Sequence, residues 1–301
     1  MVGKGTVHVP VMLEEVREAF ASVEDGIVVD LTVGAGGHAK ALLERAPGRV
    51  VFGLDRDPRI LEHARRALAE FSARVILRRG CFDAFEEIFP ELDQRRPRGF
   101  LFDLGVSSLQ LDDPNRGFSF DRDGPLDMRM SEEEQAVSAE DIVNRWPIEK
   151  LETVFRDFGE EPRARAMARA IVDARKRVPI KTTGALAAIL ERVGPRFGKK
   201  HPATRVFQAL RLAVNGELER LSTGLDRAIG KLEANGRIAV ISFHSLEDRI
   251  VKQTFRDRAK AGELKLLTKK PLTPGAAEVT RNRRARSAKL RLAERTDAGR
   301  A

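Results

Sequence analysis

The chain has no tyrosine, one tryptophan and a single cysteine, Cys81. Without a second cysteine no internal disulfide can form. Without tyrosine there is no Tyr-x-x-x-Lys pair to donate a proton in NAD-dependent hydride transfer. Five histidines and one cysteine, never clustered at zinc spacing, argue against a structural metal, and none is expected. No apolar run approaches the ~20 residues that span a bilayer. Residues 1–10 lack the basic-then-apolar layout of a signal peptide, so a cytosolic protein with no membrane contact is expected. Acids are missing from one stretch. Residues 281–291 carry Arg281, Arg283, Arg284, Arg286, Lys289 and Arg291 with no Asp or Glu.

What is present is ample for a folded core: 301 residues, 42% of them apolar, a length that fits about two domains. Lys and Arg total 54 against 45 Asp and Glu, a net charge of +9 that suits a polyanionic partner. The acid-free run would bind phosphates in a strongly salt-dependent way. It also reads as a solvated tail, except that residues 287–292 alternate as a strand does. Lys265, Lys269 and Lys270 add to the basic character of this end.

Apolar runs at residues 26–33, 49–55, 74–79 and 99–104 alternate with helical spacing, which predicts an α/β domain with a parallel, doubly wound sheet. The alternation then stops. Residues 138–193 hold several helical segments and no strand, with Ser138 as an N-cap, and a long helical stretch at 203–232 precedes a fifth strand at 236–243. A helical insertion of ~70 residues between the fourth and fifth strands accounts for this. The expected division is 1–130 and 203–301 for the α/β domain, with 131–202 as the inserted all-helical domain.

Asp30-Leu-Thr-Val-Gly34-Ala-Gly36-Gly37-His38 ends the first strand with glycines that let the backbone curl against a ligand and present helix N-terminal N–H groups. At Gly36 the missing side chain is expected to permit that close approach. Gly34-x-Gly36-x-x-Ala39 also fits the dinucleotide fingerprint, and Asp55, at the end of the second strand, suits ribose hydroxyls. The loop therefore leaves NAD and S-adenosylmethionine both open. Asp30 favours the second, because a carboxylate there can face a cationic amino-acid end but has no evident role beside a pyrophosphate. Phe82, after the third strand, is a candidate to stack on adenine or an ordinary core residue, and Cys81 reads as a buried small hydrophobe. His38 reads, by itself, as a surface residue at a helix start. The loop Asp103-Leu-Gly105-Val-Ser107-Ser108 follows the fourth strand, where ligands of such sheets bind.

With these stretches in view, the chain resembles the bacterial 16S ribosomal RNA (cytosine N4) methyltransferases nearly end to end. The resemblance lies in His8-Val-Pro-Val-Met-Leu, the Asp30 to His38 loop, Asp55-Arg-Asp57, the run from Asp103 to Asp112, Arg116-Gly-Phe-Ser-Phe120 and Gly124-Pro-Leu-Asp-Met-Arg-Met130. It continues in the runs from Thr204 to Asn215, from Ser242 to Arg249 and from Asn282 to Arg291. It implies a class I S-adenosylmethionine-dependent methyltransferase fold, Rossmann-like, with an inserted helical domain. The implied target is one cytosine of the decoding region (P site) of 16S rRNA in the small ribosomal subunit. Cofactor contacts carry over to Gly36, Gly37, His38, Asp55, Phe82, Asp103 and Gln110, beside the Asp30 and Gly34 read from the loop.

A cytosine N4 amine is a weak nucleophile, since its lone pair is conjugated into the ring, so catalysis must align it and accept its proton. Asp103, Ser107 and Ser108 are the expected catalytic groups. The Ser/Asp/Asn-Pro-Pro-aromatic motif of DNA amino-methyltransferases is absent. Phe118, Phe120, Phe243, His244 and Trp146 are candidates to hold the base, and Arg283, Arg284 and Arg286 to hold phosphates. Phe118 and Phe120 read equally as a small satellite core, and His244 as a structural hydrogen-bonding group. A noncatalytic RNA-binding assembly factor on the same fold is the other reading, and the sequence leaves monomer and homodimer open.

Overall fold

The computed structural model describes residues 10–23, 25–194 and 201–297. They form two compact units, one made of the described residues up to Gly105 together with those from Leu218 onward, the other of those from Val106 to Glu217.

The first unit is built on a seven-stranded sheet. Its strands are β1 (Gly26–Asp30), β2 (Arg49–Asp55), β3 (Val75–Arg79), β4 (Gly99–Asp103), β5 (Arg237–Ser242), β6 (Leu264–Leu266) and β7 (Lys289–Arg295), in the order β3-β2-β1-β4-β5-β7-β6. β1 to β5 pair in parallel, while β7 runs antiparallel to both β5 and β6. The parallel, doubly wound α/β sheet expected from the sequence is present, with β7 antiparallel to both its neighbours. β1, β4 and β5 are buried almost throughout, as parallel strands covered on both faces must be. Ile27, Val29, Phe100, Phe102, Ile238 and Val240 share one apolar cluster with Leu221, Leu225 and Ile229 of the helix Glu217–Lys231. Val28, Leu101 and Ala239 face a second cluster on the opposite side, with Val16 and Phe20.

Arg49 at the start of β2 is wholly buried. Its guanidinium donates to the carbonyls of Phe20, Val23 and Leu42, so that each of its three nitrogens meets an acceptor released where a helix and a turn end.

The second unit is helical: Ala139–Arg145, Ile148–Asp157, Ala164–Arg175, Thr183–Glu191 and Ala203–Asn215 enclose one core. Ser138 caps the first of these, its Oγ accepting from the Asp141 N–H at 3.2 Å while Asp141 accepts from the Ser138 N–H at 3.0 Å. The helical unit is wider than the expected 131–202. At its start, Phe118, Leu126 and Met128 already lie in the helical core, and at its end Val206, Phe207 and Leu210 do. The stretch read as one helix over 203–232 is two, broken at Gly216, whose φ of 63° is left-handed. Asn215, just before the break, is buried: its Nδ2 donates to the Met128 and Arg211 carbonyls, and its Oδ1 accepts from the Met130 N–H and Gln135 Nε2. Asn215 thereby ties the last helix of the unit to the loop at its beginning.

Candidate active site

β1 lies between β2 and β4 and the connections leave it in opposite directions, which makes its carboxyl end the crevice of a doubly wound sheet. Asp30, Asp55 and Asp103 are the last residues of β1, β2 and β4. The loop after Asp30 is tied to both neighbours. Val33 N–H donates to the Leu54 carbonyl at 2.8 Å, Gly34 N–H to Asp55 Oδ2 at 3.1 Å, and Asp103 N–H to Thr32 Oγ at 2.6 Å. Asp55 Oδ1 also accepts from the Asp57 N–H at 2.9 Å.

The glycines of this loop do different things. Gly34 and Gly36 both have positive φ, at 55° and 88°. A Cβ on Gly36 would sit 3.1 Å from the Leu68 side chain and one on Gly37 2.3 Å from Pro10, so these two serve packing within the protein. The expectation that Gly36 clears the way for a ligand is therefore corrected. Gly34 faces open space, with nothing nearer than the Thr32 carbonyl at 3.7 Å, and is the glycine whose bare backbone a ligand can approach.

His38, read from sequence as a surface residue, is buried. Its Nε2 lies 3.5 Å from Asp103 Oδ2, an ion-pair separation short of hydrogen-bond geometry. Among the described residues no hydrogen bond meets either ring nitrogen of His38, Asp30 Oδ2 or Asp103 Oδ1. Burial alone would push the imidazole down, but facing Asp103 and Asp30, with Glu278 beyond, it ends above the ordinary histidine value. Burial pushes the Asp30 carboxyl up to about 7, against the opposing pull of His38 and the Thr32 N–H. Asp55 is raised to about 6, again by burial. Buried polar atoms without partners are rare in folded proteins, and four in one crevice mark a place prepared for a polar, cationic ligand.

Residues 5–296 match the MraW methylase family. The chain belongs to this family. It is 46% identical to the ribosomal RNA small subunit methyltransferase H of Oleidesulfovibrio alaskensis, covering 96% of this chain and 95% of that one. The protein of the same name from Persephonella marina is 47% identical, with 96% and 99% covered. A solved rRNA methylase structure from Streptococcus thermophilus superposes with a TM-score of 0.44 at 11% identity, covering 97% of this chain and 100% of that one, too distant a likeness to bear on the site. A methylase sets aside both the hydride-transfer reading and the noncatalytic one.

The remaining expected site residues divide sharply. Phe82 is half-buried, its ring 5.9 Å from Phe102 edge to face and pressed on Gly224, so one side of it belongs to the core. Cys81 is half-buried beside Asp83 and Arg220, and burial lifts its thiol to about 11, which keeps it protonated and unreactive at neutral pH. Phe243 is half-buried and lies over the turn at Gly105, 3.6 Å from where a Cβ would be. His244 is the N-cap of the helix Ser245–Lys260: its Nδ1 accepts from the Glu247 N–H at 3.4 Å, and its Nε2 is 3.0 Å from Glu247 Oε1. The structural reading of His244 is the one the geometry favours.

Ser107, Ser108 and Gln110 belong to the helical unit. Ser107 caps the short helix Ser108–Asp112, with its Oγ accepting from the Gln110 N–H at 3.2 Å and Gln110 Oε1 accepting from the Ser107 N–H at 2.9 Å. One lone pair of its hydroxyl is thus engaged in a cap. For Phe118 and Phe120 the packing is that of the satellite-core reading. Phe118 is buried under Arg116, and Phe120 packs against His201 and Phe207 at 4.8 and 4.7 Å, so both hold the helical core. The Trp146 ring is covered by Lys150 Nζ at 3.5 Å.

Arg283, Arg284 and Arg286 are exposed on the short turn Arg283–Ser287, as are Arg281, Lys265, Lys269 and Lys270. Lys289 and Arg291 are not part of that surface, because both pair with Asp248. Sequence reasoning missed Glu278, Glu247 and Asp248: Glu278 and Asp248 have partners far along the chain, while Glu247 accepts from the Phe243 and His244 N–H groups of its own helix cap. Only the Ser242 to Arg249 motif pointed near the last two. His8, at the head of the first matching motif, lies outside the described residues.

Proposed function

We propose that this methylase transfers a methyl group from S-adenosylmethionine to the N4 amine of one cytosine in the decoding region of 16S rRNA, acting on the small ribosomal subunit. The orphaned polar atoms at the carboxyl ends of β1 and β4 carry the reading. Asp30 Oδ2 suits the ammonium of the donor, Asp55 the ribose hydroxyls, and Gly34 the close approach of its backbone, with Phe82, His38 and the Gly36-Gly37 turn around them. Bound S-adenosylmethionine supplies an electrophilic sulfonium methyl and needs no covalent enzyme intermediate.

The protein's part is to orient the amine and take its proton. Asp103, the last residue of β4 and with a side chain 24% exposed, is the acceptor. Phe243, over Gly105, offers an aromatic face beside it. Arg283, Arg284 and Arg286 give a cationic surface for phosphates, so the enzyme reads the folded RNA before it reads the base. The curated relatives are named as small-subunit rRNA methyltransferases, which supports the substrate class. The test is incubation of small subunits with labelled S-adenosylmethionine, then mass mapping of the 16S RNA and nucleoside chromatography. One N4-methylated cytosine is the expected product. A ring-carbon methyl, or label at scattered sites, would overturn the reading.

A further inference from the structure

The His38 side chain has no evident packing purpose for its polarity. It is 6% exposed, neither nitrogen is hydrogen-bonded among the described residues, and an apolar side chain would fill the place at less cost. The charged groups around it are Asp103 from β4, Asp30 from β1 and Glu278 from the helix Ala276–Arg281, with Asp55 facing Asp30 in turn. One cation among these carboxylates, 3.5 Å from a single oxygen of Asp103, leaves the other oxygen of that residue unmatched.

Resting on the methyl-transfer reading, we propose that His38 is a positioning residue whose imidazolium, 3.5 Å from Asp103 Oδ2, holds the carboxylate that takes the amine proton of the target base. In the reaction the N4 nitrogen bonds to the methyl carbon as the carbon–sulfur bond breaks. The electron pair of that bond returns to sulfur, giving a neutral thioether, and the displaced N–H proton goes to Asp103. His38 touches neither the base nor the methyl group in this scheme. It acts by holding that carboxylate in one orientation.

The raised histidine value sets the direction of the pH dependence. The imidazolium is present below its folded-state value and lost as pH rises through it, so the anchoring fails on the alkaline side.

The first arm needs no donor and no RNA. NMR titration of the imidazole protons of the free protein, with the His38 signal identified by its loss in His38→Asn, is expected to give a midpoint above ~6.5 that falls in Asp103→Asn. The second arm is kinetic. His38→Asn, or His38→Gln if the first variant does not fold, is expected to lower kcat by about tenfold or more, a larger factor than any change in the KM for S-adenosylmethionine. The alkaline decline in kcat of the unaltered enzyme should disappear with it. A His38 midpoint at or below ~6.5 and indifferent to Asp103→Asn, or a variant with unchanged kcat, overturns the proposal. So does a kcat lowered equally at every pH, which is the mark of a merely structural role. If the unaltered protein transfers no methyl group, the methyl-transfer reading fails, and the NMR arm still decides the ion pair.

Discussion

Arg291 Nε donates to Asp248 Oδ1 at 2.7 Å, and Lys289 Nζ reaches the other oxygen of the same carboxylate at 3.0 Å. The basic run at 281–291 is therefore two things. Its last two cations fasten β7 to the helix Ser245–Lys260, and Arg281, Arg283, Arg284 and Arg286 face solvent. Burial would push the Asp248 carboxyl up, but Arg291 and Lys289 hold it below the usual value. A depressed carboxylate stabilises the fold above its unfolded value of ~3.9 and loses that contribution as pH falls through its folded one. Asp248→Asn is expected to destabilise the protein by ~1.5–3 kcal/mol at pH 7, the gap to the unaltered protein closing below pH ~4 in urea melts.

Asp30 works in the opposite sense. With its carboxyl raised to about 7, the folded protein holds a proton between pH ~4 and 7 that the unfolded chain has lost, so ionising Asp30 costs stability as pH rises across that window. Asp30→Asn is expected to raise the melting temperature of the free protein at pH 8, with no gain below pH ~4, while weakening S-adenosylmethionine binding. A variant less stable than the parent at pH 8 would contradict the assignment.

Asp55→Ala is expected to weaken donor binding by ~1.5–3 kcal/mol, the worth of hydrogen bonds to a charged acceptor. Because the Asp55 carboxyl is raised to about 6, affinity should also decline as pH falls through that value in the unaltered protein, and that decline should flatten in the variant. Calorimetry across pH 5 to 8 reads both.

Gly34 and Gly36 should part company under substitution. Gly34→Ala meets no close neighbour and carries only the strain of a left-handed backbone, ~1–2 kcal/mol, yet its Cβ occupies the approach to the donor. Donor affinity should fall at least tenfold with the melting temperature nearly kept. Gly36→Val drives side-chain atoms into Leu68 as well as straining a φ of 88°, and the fold itself should suffer.

Replacing Arg283, Arg284 and Arg286 together by Ala should weaken binding to small subunits and lower the slope of log affinity against log salt, leaving S-adenosylmethionine affinity unchanged. An unaltered slope in the folded variant would remove these arginines from the RNA surface.

The strands were legible where burial on both faces writes a continuous apolar run, as in 26–33 and 99–104, and the acids at their ends could be placed for the same reason. β6 was not, because Leu264–Leu266 is too short to show a period. The break at Gly216 escaped notice because apolar spacing continues through it and a single glycine is tolerated within a helix. His38 sits where helical spacing put it, but its burial comes from β4, a tertiary fact that no local pattern carries. Phe118 and Phe120 show the reverse failure. A base-holding role and a satellite core were both open for them, and the sequence had no means of saying whether the Phe120 ring met a base or Phe207.

The order in which the ribosome makes this chain follows from the interruption between β4 and β5. β4 is synthesised with β1 to β3, yet its outer neighbour, β5, arrives only after the whole of Val106–Glu217 has been translated. At about 5–20 residues per second, Phe100, Leu101 and Phe102 wait for seconds on an unpaired edge of apolar strand, the kind of edge that invites pairing between chains. Assembly of the nascent sheet is thus held open in the middle, and slowing translation within the helical segment would lengthen the interval in which half-made molecules can aggregate.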